Sequence, residues 1–390
     1  MINIKHIEKF KHFYVYFAVV FLNFLILFFL INIFIFLFFA DFTFKPVGSK
    51  MLYDNYSKEM IWEGYPNLKP EEVTRLLDET WSRPRIFESY TGYREIPVSG
   101  KYVNVTENGF RRVSFSDEQS LWPISKDFFN IFIFGGSTTF GYGVSDEETI
   151  PAHIQKLILK NNKKVRVYNF GRAAYFSIQE RVLFEKLLLA GHKPDLAIFI
   201  DGLNDFFHYD DNPEYTDQMS LLFAKDTKVI LKEALDLIPL KKLISFSWLN
   251  NKNNSSIIIE KDEKFIDFVL LRYLNNKKII ESVAKNFDIN TVFVWQPVPV
   301  YSYDLSKHPF VNKNNLNNYT QIKFGYESFF DTWNKTGISN NFVWCANEGL
   351  KVSSRAYIDL VHYSNAMNLS VASCVVDFLY NKMFISNVVR

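Results

Sequence analysis

Phe132-Ile133-Phe134-Gly135-Gly136-Ser137-Thr138-Thr139-Phe140-Gly141 changes character halfway along: a strand-forming apolar run stops abruptly at two glycines and a serine. Two more hydroxyls follow, and a helical pattern begins near Thr149. A serine at the carboxyl end of a buried strand stands where an open α/β sheet presents its reactive groups. The glycines allow a tight turn and close approach to a ligand. Ser137 is therefore a candidate nucleophile, for which the chain must supply a base, an orienting group and an oxyanion hole.

Downstream, strands are expected over 129–134, 165–169, 196–200 and 291–295. They alternate with helices over 148–160, 177–190, 262–286 and 365–380. Pro151 is tolerated in a first helical turn. Ser177 with Glu180 three residues later reads as a capping box, and Gly191 closes that helix. This β-α-β-α-β order predicts a parallel sheet with helices on its faces. Residues 206–260 interrupt the pattern and read as an insertion or lid, with helical periodicity over 224–246 and a polar loop over 250–256. The stretch between 300 and 356 yields no assignment, and there is no internal repeat.

Upstream, residues 13–40 form an apolar run interrupted only by Asn23 and Asn32. About 28 residues extend about 42 Å as a helix, against a hydrocarbon core of about 30 Å. The run exceeds a signal-peptide core of about 7–15 residues, and no small-x-small cleavage pattern follows. A transmembrane helix is expected. Lys5, Lys9 and Lys11 precede it and Asp41 follows, so residues 1–12 are expected in the cytoplasm and the remainder outside, in the periplasm if the cell has two membranes. Residues 41–126 read as a juxtamembrane connection, with a short helix over 71–80, and a small extension. Its run of arginines, aromatics and turn residues from Arg83 to Arg112 is either β-rich packing on the main domain or a rim near a substrate cleft.

The net charge of +2 gives no nucleic-acid footprint. The abundance of Phe, Ile, Asn and Lys suggests a bacterial, low-GC coding sequence. Cys345 and Cys374 are too few for a disulfide framework, although they could pair in an oxidising compartment. Gly136-x-x-x-x-Gly141 is followed by Tyr142-Gly143 rather than Lys-Ser or Lys-Thr, so it is no P-loop. No His-Glu-x-x-His or Cys/His spacing implies a metal, and no cofactor is implied.

The expected strand ends deliver Ser137, Gly171 and Gly202-Leu203-Asn204-Asp205, and Asp359-Leu360-Val361-His362 follows near the end of the chain. In a parallel sheet these groups share one edge. A serine hydroxyl needs a base, which histidine supplies near neutral pH, and the histidine needs a carboxylate to fix its tautomer. The backbone N–H groups of Ser137 and Gly171 and the side-chain amide of Asn204 would make an oxyanion hole. Each residue also has a duller reading: Ser137 as a turn serine, Asp359 as a cap, His362 as a surface histidine, Asn204 and Gly171 as turn residues. Asp205 reads as structural support. His153, His192, His208 and His308 lack partners in this pattern and read as surface or capping histidines.

Taken together, these blocks resemble the SGNH or GDSL hydrolases. Gly136-Ser137 is similar to the family's first block, Gly171 to its second, Gly202-Leu203-Asn204-Asp205 to its third, and Asp359-Leu360-Val361-His362 to its fifth. The resemblance covers roughly residues 128–380, with a catalytic domain expected over 127–385, and departs from the family in having Gly136 where its aspartate stands. It implies a flavodoxin-like three-layer α/β/α fold and metal-free ester hydrolysis or acyl transfer, with Ser137, His362 and Asp359 as the catalytic residues. With an outward-facing anchor, the expected substrates are ester groups, most simply O-acetyl, on cell-envelope carbohydrate. Hydrolysis of lipid acyl esters and non-catalytic glycan binding or assembly are the alternatives.

Overall fold

The computed structural model describes residues 4–38, 48–114, 122–160, 164–216, 260–311 and 319–385, with single positions between 217 and 259. The helix expected over 224–246 and the loop over 250–256 lie outside the described residues, as does the stretch 39–47. The chain divides into two units. The first contains helix α1 (Ile4–Phe38), 35 residues long and starting before the expected span. Its segment Glu8–Leu37 has a mean hydropathy of 2.9 and is long and apolar enough to cross a membrane.

The second unit opens with two short helices, α2 (Ser49–Tyr53) and α3 (Lys58–Trp62), and the longer α4 (Pro70–Trp81). Pro70 opens α4, where its missing N–H costs nothing, and Glu71 and Glu72 complement the helix dipole. Val73, Leu76, Leu77 and Thr80 form its buried stripe. Two small antiparallel pairs follow: β1 (Arg85–Glu88) with β2 (Gly92–Glu95), and β3 (Val98–Ser99) with β4 (Asn104–Val105). The α4 stripe shares one hydrophobic cluster with Leu52, Ile61, Phe140, Tyr142 and Ile358. The segment before the main sheet is therefore packed against the residues that surround Ser137.

The main sheet has five strands: β5 (Phe129–Gly135), β6 (Val165–Asn169), β7 (Leu196–Asp201), β8 (Asn290–Trp295) and β9 (Phe342–Trp344). All pair in parallel, in the order β6-β5-β7-β8-β9. This is the flavodoxin-like 2-1-3-4-5 order. Strand alternation sorts side chains by type. Phe132, Phe134, Phe199, Phe293 and Trp295 face one layer, with Phe134 and Phe199 stacked at 4.9 Å, and Ile131, Ile133, Ile198, Ile200, Val292 and Val294 face the other.

Connecting these strands are α5 (Ser137–Phe140), α6 (Ile150–Leu159), α7 (Ser177–Leu189), α8 (Leu203–Phe207), α9 (Glu263–Asn286), α10 (Thr320–Thr336) and α11 (Asn365–Asn381). Helices α7, α9 and α10 cover the aromatic face, while α6 and α11 cover the aliphatic one, giving three layers. Strand β9 and helix α10 fall in the stretch for which the sequence yields no assignment. A disulfide joins Cys345, just after β9, to Cys374 in α11.

The expected capping box at Ser177 does not form. Phe176 occupies the cap position, Ser177 Oγ donates to Asp205 Oδ1 at 2.6 Å, and Glu180 is buried. Ser177 turns inward to the Asp205 carboxylate of α8, and Glu180 is buried beside Asp201 at the end of β7. His308 is likewise no surface histidine: it is buried, its ring stacks 4.6 Å from that of Tyr357, and burial pulls its pKa down to about 4.

Candidate active site

Strand β5 runs through Gly135 and Gly136 straight into α5, whose first residue is Ser137. The first N–H groups of a helix have no intrahelical acceptor, so the Ser137 N–H is available to an anion. Gly136 has an ordinary backbone conformation, φ −79° and ψ −156°, and its requirement is steric. A Cβ there would lie 2.4 Å from Asn204 Nδ2 and 3.2 Å from the Tyr175 carbonyl oxygen. Below the turn, the fully buried Arg111 holds the chain after α5. It donates to the Phe140, Gly141 and Val144 carbonyls at 2.9, 2.6 and 2.7 Å and to Asp146 Oδ1 at 2.8 Å.

Asp359 and His362 share one tight turn. Asp359 Oδ1 accepts the backbone N–H groups of Val361 and His362 at 2.9 and 2.7 Å, and the Ile358 N–H donates to the His362 carbonyl at 3.0 Å. Asp359 Oδ2 is left for the imidazole, with His362 Nδ1 at 2.6 Å. The other ring nitrogen, Nε2, lies 2.8 Å from Ser137 Oγ. The spacing of three residues is thus what lets one carboxylate organise the turn and orient the ring. Burial raises the Asp359 pKa, but the His362 charge, its hydrogen bond and the two backbone donors outweigh that and hold the carboxyl below its usual range.

The imidazole is flanked by Tyr142, near-parallel at 5.3 Å, and by Trp81 of α4, edge-on at 5.7 Å. In the arginine-rich run, Arg111 follows the packing reading, whereas Arg83 and Arg85 lie against Tyr142, the ring stacked on His362. Arg83 pairs with Glu95 at 3.4 Å, Arg111 with Asp146, and Arg85 with Glu214. The aromatic that the segment before the main sheet adds to the site is Trp81, which no local pattern marks.

The structure brings Ser137, His362 and Asp359 into one chain of hydrogen bonds and places Asn204 beside them. Asn204 Nδ2 donates to the Tyr175 carbonyl at 2.6 Å, and its second hydrogen has no partner among the described residues. Gly171 departs from its expected role: its N–H donates to Asn169 Oδ1 at 2.9 Å, inside its own loop. What this position requires is the absence of a side chain, since a Cβ would lie 2.4 Å from the Phe140 nitrogen. Three residues on, Ala174 has a left-handed φ of 55°, and its N–H has no partner among the described residues. Asp205 is wholly buried and takes the Ser177 hydroxyl, a supporting position. His153 meets Asn365 at 2.8 Å, His208 meets the Asn212 carbonyl at 2.9 Å, and His192 packs on Trp122 at 4.2 Å, so none reaches Ser137.

No known family model matches the chain, and no curated protein does. Among solved structures it is similar to a protein described as lipolytic and of the G-D-S-L family, from Desulfitobacterium hafniense DCB-2. That likeness has 12% identity and a TM-score of 0.36, over 64% of this chain and 99% of the other. An acetylxylan esterase from Geobacillus stearothermophilus is similar at 16% identity and a TM-score of 0.33, over 68% and 99%. A carbohydrate acetylesterase family member from Sinorhizobium meliloti is similar at 13% identity and a TM-score of 0.32, over 65% and 98%. Of these three, one is described as of the G-D-S-L family and two are named as esterases of acetylated carbohydrate.

Proposed function

We propose that the protein is a serine esterase or O-acyltransferase that works through an acyl-enzyme on Ser137. The observation that carries this reading is the continuous chain from Asp359 through His362 to Ser137, at 2.6 and 2.8 Å. His362 Nε2 takes the Ser137 proton as Oγ attacks the ester carbonyl carbon. Asp359 keeps the proton on Nδ1 and balances the imidazolium. The oxyanion is held by the Ser137 N–H and the free hydrogen of Asn204 Nδ2. The third donor is assigned to Ala174 in place of Gly171, because the Gly171 N–H is already engaged and the adjoining Tyr175 carbonyl meets Asn204. On collapse, His362 protonates the departing alcohol. It then deprotonates water, or an acceptor hydroxyl, which attacks the acyl carbon and frees Ser137.

The substrate reading rests on placement. The N-terminal helix is read as a membrane anchor whose lysine-rich flank stays in the cytoplasm, leaving the catalytic unit outside. The Cys345–Cys374 disulfide supports an oxidising compartment. Ester groups on cell-envelope carbohydrate, most simply O-acetyl groups, are the matching substrate class.

The test is turnover of an acetylated oligosaccharide by the wild type and by Ser137→Ala, each checked for folding by circular dichroism. Complete loss in a folded variant is expected, and ester turnover that survives the substitution would sink the reading.

A further inference from the structure

Gln296 follows β8 directly and is 4% exposed. Nearly every polar group it carries is fixed. Its N–H donates to the Asp201 carbonyl at 3.0 Å, and its carbonyl accepts the Tyr326 hydroxyl at 3.0 Å. Its side-chain oxygen accepts the Thr138 hydroxyl at 2.6 Å, one residue from the nucleophile. Its Cγ lies 3.5 Å from where a Cβ on Gly202 would be, at the start of the turn that presents Asn204. The exception is Nε2, which donates to no protein group among the described residues. A buried amide pinned by its oxygen, with two unused N–H donors beside the nucleophile turn, has the form of a ligand contact.

We propose that Gln296 Nε2 faces the acyl group of the substrate and restricts the enzyme to short acyl chains, an inference that rests on the acyl-enzyme reading of Ser137. The leaving alcohol must depart and be replaced by an acceptor, so its side of the site is open. The acyl group stays on Ser137 through both half-reactions and takes the closed side, where a residue as buried as Gln296 stands. An acetyl group leaves room for a water on Nε2. A long alkyl chain would cover Nε2 and leave its donors unpaired, which is costly in a buried site. Thr138 and Gln296 act as a pair, the hydroxyl fixing the amide so that Nε2 points away from it.

The experiment compares kcat/KM for p-nitrophenyl acetate and p-nitrophenyl octanoate in the full-length protein. The wild type is expected to favour acetate. Gln296→Leu should raise the octanoate-to-acetate ratio by about tenfold or more; Gln296→Met serves the same comparison if the leucine variant does not fold. Gln296→Glu keeps an oxygen for Thr138 and replaces the donors with a carboxylate, and should lower the ratio. A substitution that only loosens the fold lowers both activities together. An unchanged ratio in folded Gln296→Leu and Gln296→Met would overturn the inference while leaving the esterase reading intact. A wild type that turns over neither ester nor any acetylated oligosaccharide removes that reading, and this inference with it.

Discussion

At the turn that carries Ser137 the governing distance is the 2.4 Å that would separate a Cβ at position 136 from Asn204 Nδ2. The resembling family has an aspartate there, and in this chain the space is taken by the asparagine amide. Gly136→Asp should therefore displace Asn204, and kcat should fall by about 10²-fold or more, as for loss of one oxyanion donor. Unchanged steady-state kinetics would mean that Asn204 is not such a donor. Asp359→Asn should keep the turn's shape but lose the tautomer control, lowering kcat by about 10³–10⁴-fold with little change in KM. The Asp-x-x-His turn is legible in sequence because all its contacts are local. The Gly171 N–H is not, because its availability depends on where the Asn169 side chain points. Trp81 and Gln296 reach the site only through tertiary packing, and neither has a spacing that gives it away.

Elements long enough to show a period are the legible ones. Strands β5 to β8 and helices α6, α7, α9 and α11 match the expected spans to within a few residues. Strand β9 has three residues and α2 and α3 have five each, too short for any period to emerge. Strand β9 is fastened to α11 by the Cys345–Cys374 bond, which spans 29 residues. Cys374→Ser should lower the unfolding free energy by roughly 2–4 kcal/mol in urea under non-reducing conditions. A variant as stable as the parent would show that the bond closes nothing the fold does not already hold.

Elements α7, β7 and α8 bring together Glu180, Asp201 and Asp205, all buried, with Arg272 at 3.8 Å from Asp205. Burial, followed by the neighbouring carboxylates, pushes Glu180 and Asp201 well above the usual carboxylate range. Such groups stay protonated in the fold while their unfolded counterparts ionise near pH ~4, so their contribution to stability is present at low pH and is lost as pH rises towards their folded pKa values. Glu180→Gln should consequently gain stability relative to the wild type as pH rises above about 4 in urea unfolding. A difference that does not change with pH would count against this arrangement.

For the whole molecule, the parallel sheet and the edge that carries the site follow from the alternation of strands and helices, whereas the role of residues 48–114 does not. Their core is shared with Phe140, Tyr142 and Ile358, which is why a helix ahead of the sheet reaches His362. Under the proposed topology, a cysteine introduced at the exposed Glu107 should react with a membrane-impermeant thiol reagent in intact cells or, beneath an outer membrane, in spheroplasts. Labelling only after lysis of the inner membrane would reverse the orientation. The central claim is that Ser137 is an activated nucleophile, and a fluorophosphonate probe followed by peptide mass spectrometry tests it most directly. A single adduct on Ser137 is expected in the wild type, with labelling lost in Ser137→Ala and strongly slowed in His362→Ala. A folded wild-type protein that acquires no adduct, or acquires it at another serine, would contradict it.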